Sequence, residues 1–368
     1  GLFFFFFFLV CLYLFSKDRF TRTESLLLVS LFALNPLLLR FLDQILSDIP
    51  FLFFSMLSFM LMTQEGKHGF SHYVLIGASV FFMAFLRMTG ALLLACFLIV
   101  EFFKLLKNRK DRERVIEIIR NSFVVCSVFT LLWVLNLLLF PSGGESYFSQ
   151  YTELIETAKE LAVTYFNVFG QFFGEAKVWT YLYYFLLIFF LLGAWIRRKQ
   201  ETVFLLFFAF WIIIHVTYPY VQLPRYIFPL LPIFIYFTFQ GMKAALDKLP
   251  EKYHQMGQTA FYGFWLLIAG IFLFTSSRSA YINLQNDRTI NGPFDPYSTE
   301  VYNYIKEKTA PNSVVIFFKP RVMVIMTEHR TIMSTECDRM YKGDYLVLSR
   351  KVGENQQITP ENIGACNL

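Results

Sequence analysis

Chemistry in this sequence concentrates in the segment RFLDQILSDIP, where Arg40, Asp43 and Asp48 stand between the end of one apolar run and the start of the next. Charge at such a junction is costly unless it pairs or reaches water, so side chains retained there call for a role. Two more arginines occupy comparable places, Arg87 in FLRMTG and Arg225 in QLPRYIFPLLP. A carboxylate can take a proton, orient a hydroxyl or hold a cation, and guanidiniums grip phosphate through bidentate, permanently charged donors. Asp48 and Asp43 are therefore the candidate catalytic residues, and Arg40, Arg87, Arg225 and Tyr226 the candidate substrate contacts. Each has a plainer reading. Asp48, just ahead of Ile49-Pro50, suits a helix N-cap, and Asp43 can simply pair with Arg40. The arginines can snorkel to lipid headgroups, and Tyr218, Tyr220 and Tyr226 suit an interfacial aromatic belt.

Other chemistries leave no trace. There is no phosphate-binding glycine loop, GxSxG, HExxH, paired CxxC or DxD, and the five His are scattered. A divalent cation on the carboxylates is the one cofactor left open, with no ligand set to identify it. No nucleic-acid partner is expected.

The elements that must position these residues follow from composition. Of 368 residues, 56% are hydrophobic and only 16% charged, with 47 Phe. Soluble domains carry roughly 25% charge, so a soluble enzyme is excluded, as are disordered, collagenous and disulfide-rich secreted classes. Apolar runs predict ten spans, near 1–15, 25–42, 49–63, 72–87, 90–106, 116–140, 178–196, 202–218, 224–242 and 258–276. Alternate loops hold seventeen Lys and Arg residues, including Lys17, Arg19, Arg22, the run from Lys104 to Arg120, Arg197, Arg198 and Lys199. The intervening loops hold five, namely Arg40, Arg87, Lys159, Lys177 and Arg225. Basic loops face the cytoplasm, which sends the candidate site to the other face.

Two further regions fall on that outer face. Residues 146–174 read as an amphipathic helical loop lying along the membrane surface. After 277 the composition turns polar, with a helical pattern in STEVYNYIKEKT and strand-like runs in VVIFFK and YLVLSR. The expectation is an all-α polytopic membrane domain of about ten transmembrane helices at 1–276, followed by a small α/β extracytoplasmic domain at 277–368. Cys337 and Cys366 can pair there or stay as separate thiols. Cys11, Cys96 and Cys126 read as small core hydrophobes.

The segments LSDIPFLFFSML, FLRMTGALLL, PRYIFPLLP and VYNYIKEKTAPNSVV, in this order, resemble the GT-C superfamily of polytopic glycosyltransferases. The likeness is to the family 39 branch, which includes protein O-mannosyltransferases and lipid A aminoarabinose transferases. The resemblance implies inverting sugar transfer from a polyprenyl-phosphate donor, dolichyl phosphate mannose being one such, to a hydroxyl of a lipid, glycan or protein acceptor. A carboxylate would orient or deprotonate that hydroxyl, and arginines would hold the departing phosphate. Asp48 matches the family's second outer acidic position. The first span runs as the family's second helix would, so the sequence reads as truncated before it, without the first helix and its acid-bearing loop. A multi-pass protein of a cell inner or plasma membrane is implied. The competing class is a carrier or flippase that binds a lipid-linked solute without making bonds.

Overall fold

The computed structural model describes residues 1–42, 46–64, 66, 68–140, 158–217, 224–285, 294–335, 337–349, 357–364 and 366. They divide into two compact units, Gly1–Arg278 and Ser279–Leu368. The first is an integral, multi-pass helical bundle. Its helices are α1 (Leu2–Lys17), α2 (Arg22–Ala33), α3 (Pro36–Leu39), α4 (Asp48–Met62), α5 (Phe70–Leu86), α6 (Leu92–Lys107), α7 (Arg112–Leu139), α8 (Ala158–Val168), α9 (Lys177–Arg197), α10 (Thr202–Val216), α11 (Leu231–Leu246) and α12 (Glu251–Gln285). Among the described residues, five segments are long and apolar enough to cross a membrane: Met88–Lys107, Arg112–Leu139, Lys177–Arg197, Arg225–Leu246 and Glu251–Gln285. Leu2–Lys17, Asp48–Met62, Phe70–Leu86 and Thr202–Val216 are shorter apolar helices. At about 1.5 Å per residue, the 15 residues of α4 fall short of a hydrocarbon layer of about 30 Å.

Side-chain spacing sorts inside from outside. On α1, Phe5, Phe8, Leu12 and Phe15 recur at helical intervals and are buried, while Leu2, Phe3, Phe6 and Phe7 face outward. The most enclosed span is Arg225–Leu246, 78% of whose apolar window is inside the protein, against 11% for Arg112–Leu139. Close approach of α9 to this central helix needs glycine. A Cβ on Gly193 would stand 1.9 Å from the Phe237 carbonyl oxygen, and one on Gly241 1.9 Å from that of Phe189.

The expected span 25–42 is broken. Pro36 has no N–H to continue α2, so the chain restarts there, with the buried Asn35 accepting from the Leu38 amide at 3.1 Å. The Asn35 side-chain amide donates to the Phe172 carbonyl at 2.8 Å. That carbonyl lies in a 3-10 turn, Phe169–Phe172, following α8. The described part of the loop expected along the membrane surface therefore docks into the bundle. Leu161, Tyr165, Val168, Phe169, Phe172 and Phe173 all join its core, because aromatic neighbours accept them there.

At the basic-loop end, Arg19 Nε donates to Glu201 at 3.1 Å and its Nη2 to the Thr63 carbonyl at 3.1 Å. The Tyr236 hydroxyl donates to the same Glu201 oxygen at 3.0 Å. This cluster ties the turns after α1, α4 and α9 to the central helix. Beside it Thr21 and Glu24 form a capping box on α2, and Glu24 also takes Lys243 at 2.8 Å.

The second unit contains α13 (Pro296–Lys308), β1 (Val314–Ile316), α14 (Pro320–Thr327), β2 (Arg330–Ile332), α15 (Cys337–Met340), β3 (Tyr345–Leu346) and α16 (Pro360–Ile363). The sheet is parallel with order β2-β1-β3, pairing Val314 with Arg330 and Val315 with Tyr345. Cys337 and Cys366 form a disulfide with Cα atoms 5.3 Å apart.

Candidate functional site

Three turns deliver charge to one place. Asp48 is the first residue of α4, following Ser47, which makes no side-chain cap. The Asp48 side chain does not cap the helix either. It is 1% exposed, and both its oxygens accept from guanidinium groups.

The first is that of Arg87, whose Nη2 donates to Asp48 Oδ1. Arg87 ends α5 in extended conformation, φ −150° and ψ 125°, and a 3-10 turn over Met88–Ala91 follows. Gly90 folds back so tightly that a Cβ there would stand 2.5 Å from the Met83 carbonyl carbon. Only a residue without a side chain lets the turn close on the helix end and aim Arg87 inward.

The second is that of Arg225, whose Nε and Nη2 reach Asp48 Oδ2 at 2.9 and 2.8 Å. It opens a 3-10 turn, Arg225–Leu230, set between Pro224 and the regular part of α11. The prolines at 229 and 232 withhold amide donors at this end, and the tighter turn carries Arg225 out ahead of the helix.

Among the described residues, one carboxylate is shared by two guanidiniums. Arg87 and Arg225 both pair with Asp48 while keeping 13% and 25% of their side chains exposed. Aromatic rings back them: the Arg87 guanidinium lies 5.5 Å from the Phe51 ring centre and 5.4 Å from that of Tyr226. Such a site can hold an anion. Its carboxylate is less suited to accepting a substrate proton, because both oxygens already receive guanidinium hydrogens.

The other candidates separate. Arg40 lies 3.8 Å from Glu175, with both side chains largely exposed, and is not a partner of Asp48. A pair so open to water contributes little. Asp43, Tyr218 and Tyr220 lie outside the described residues. No group of three or more His, Cys, Asp or Glu capable of holding a metal occurs among the described residues. Asp48 itself is committed to the two arginines.

The site also contains residues that sequence reasoning passes over. The Trp211 indole donates to the Tyr226 carbonyl at 2.6 Å, and His215 stacks on Trp211 at 4.4 Å and meets the Tyr226 ring at a tilt, 4.5 Å between centres. Trp211 and His215 stand one turn apart on α10, both buried. That spacing was available in the sequence, but a His within an unbroken apolar run carries no partner to suggest a role.

No family model matches the sequence, and no curated protein sequence matches it. Among the solved structures that share the fold are two transferases of the membrane. One is the archaeal oligosaccharyltransferase AglB from Archaeoglobus fulgidus, in complex with an inhibitory peptide and a dolichol-phosphate: TM-score 0.51, 12% identity, covering 88% of this chain and 51% of that one. The other is ArnT from Cupriavidus metallidurans in the apo state: TM-score 0.51, 10% identity, covering 98% of this chain and 74% of that one. This chain thus spans about half the length of AglB and about three quarters of ArnT. At this identity the likeness concerns the fold, a GT-C-like helical bundle with a small parallel sheet after it.

Proposed function

We propose that this chain acts in membrane glycosyl transfer, taking a sugar from a polyprenyl-phosphate donor and joining it, with inversion, to an acceptor hydroxyl. The observation that carries this reading is the meeting of Arg87 and Arg225 on the buried carboxylate of Asp48. A phosphate monoester or diester is the anion whose oxygens match two guanidinium edges. The prenyl chain would lie against the apolar bundle beside it.

In this reading the acceptor oxygen attacks the anomeric carbon as the bond from that carbon to the phosphate oxygen breaks. The electron pair leaves with the phosphate, where Arg87 and Arg225 stabilise the growing charge. Asp48 acts on the arginines, fixing their separation and direction, and Tyr226 supports Arg87 from below. The acceptor proton passes to a group other than Asp48. Asp43, the other candidate acid of the same charged segment, is a carboxylate open to that role.

The reaction is assigned to the extracytoplasmic face. The bias of basic residues toward the opposite loops supports this. The likeness to AglB, captured with a dolichol-phosphate, agrees with a prenyl phosphate as ligand.

The test uses the full-length protein in native membranes, supplied with prenyl-phosphate sugars labelled in the sugar. Transfer of label from lipid to another molecule, abolished by Arg87→Ala and Arg225→Ala, is the expected result. Label that crosses the membrane still attached to its lipid would assign the protein to the carriers instead.

A further inference from the structure

The further inference concerns the ring at the back of this site, and it rests on the phosphate reading of Arg87 and Arg225. His215 is 4% exposed, in contact with Trp211 on one side and Tyr226 on the other. Its Nδ1 lies 2.8 Å from the Trp211 carbonyl oxygen. A carbonyl only accepts, so Nδ1 carries the hydrogen, and in the neutral ring Nε2 holds the lone pair. The bond to its own helix fixes the ring's rotation, and the two aromatic contacts fix its tilt. Among the described residues Nε2 has no hydrogen-bond partner, and although the residue as a whole is 4% exposed, this nitrogen is not one of the polar atoms sealed from solvent. The nitrogen on the side away from α10 is therefore an acceptor open to water or to a ligand.

We propose that His215 is a sugar-binding residue, its Nε2 accepting a hydrogen bond from a hydroxyl of the sugar carried on the lipid phosphate. Position favours the donor's own sugar. The Tyr226 ring that touches His215 is the one that lies 5.4 Å from the Arg87 guanidinium. A phosphate on Arg87 and Arg225 thus has His215 one aromatic ring away, and the group covalently next to that phosphate is its sugar. Nε2 as an acceptor selects a donor hydrogen, which sugar hydroxyls supply and a bare phosphate ester at neutral pH does not.

The experiment measures dissociation constants of the detergent-solubilised full-length protein for farnesyl phosphate and for farnesyl phosphate esterified with mannose, glucose or 4-amino-arabinose. In the wild type at least one glycosylated lipid is expected to bind about fivefold or more tightly than farnesyl phosphate, the equivalent of one hydrogen bond. His215→Phe, which keeps the stack, should abolish that gain while leaving farnesyl phosphate affinity within about twofold. His215→Gln, which keeps an acceptor, should retain part of it. No sugar-dependent gain in the wild type, an undiminished gain in His215→Phe, or an equal loss of farnesyl phosphate itself would each overturn the assignment. Failure of the phosphate reading shows differently, as wild-type protein that binds farnesyl phosphate no better than farnesol.

Discussion

Asp48 and Arg225 are 177 positions apart in the chain, yet Arg225 Nη2 lies 2.8 Å from Asp48 Oδ2, and Arg87 holds the other oxygen. The contact joins the first turn of α4 to the lead-in of the most enclosed span in the protein. Disturbing the carboxylate therefore disturbs both fold and site.

Removing it with Asp48→Ala takes away the carboxylate that two neighbouring guanidiniums share. Breaking a buried pair in this way costs about 3 to 5 kcal/mol. A large fall in the thermal unfolding midpoint is expected, smaller for Asp48→Asn, which keeps one acceptor oxygen. An unchanged midpoint in Asp48→Ala would show that the arginines do not depend on it.

Gly90 sets the direction of Arg87 through backbone alone. In Gly90→Ala the new methyl meets the Met83 carbonyl carbon at 2.5 Å and the Ala84 nitrogen at 2.7 Å, neither of which can rotate away. Overpacking of this kind costs about 1 to 3 kcal/mol. Weaker prenyl-phosphate binding should accompany the lost stability, measured on the same preparation.

The cluster at the basic-loop end should behave otherwise. Glu201 is 3% exposed and accepts from both Arg19 and Tyr236. Glu201→Gln removes the charge from that pair, and a loss of about 3 kcal/mol is expected. Tyr236→Phe, which drops one hydrogen bond, should cost about 1 kcal/mol. Both variants should bind farnesyl phosphate like wild type at a temperature where they stay folded.

Reduction tests the second unit. The Cys337–Cys366 bond closes a loop of 29 residues, for which the chain-entropy relation gives about 3 to 4 kcal/mol. Dithiothreitol or paired Cys→Ser substitution should make residues 337–366 sensitive to limited proteolysis while α1 to α11 stay resistant. Equal sensitivity with and without reductant would count against a structural role for the bond.

Much of this architecture is legible in the sequence because lipid imposes a simple rule. Apolar runs must be helices, and charge at their ends stands out, so Asp48, Arg87 and Arg225 can be singled out without coordinates. The break at Asn35-Pro36 is hidden because the residues around it stay apolar, and only the Phe172 carbonyl, 137 positions on, shows what Asn35 serves. Strand β2, at Arg330–Ile332, is too short and too polar to rise above its surroundings; its pairing with β1 defines it. Arg40 lies in the same charged segment as Asp48, yet the turn after α3 leaves it exposed beside Glu175. His215 is the reverse case, without polar neighbours in sequence but within ring contact of Tyr226 once α10 and α11 pack.

The central claim is that Arg87 and Arg225, held by Asp48, capture a lipid-linked phosphate. The most direct test is the affinity ratio between farnesyl phosphate and farnesol, which share a tail and differ in the anion. Charge-assisted hydrogen bonds of about 1.5 to 3 kcal/mol correspond to a preference of roughly 10- to 100-fold for the phosphate in wild-type protein. That preference should fall with rising salt and disappear in Arg225→Ala. A ratio that is the same in wild type and Arg225→Ala would contradict the claim.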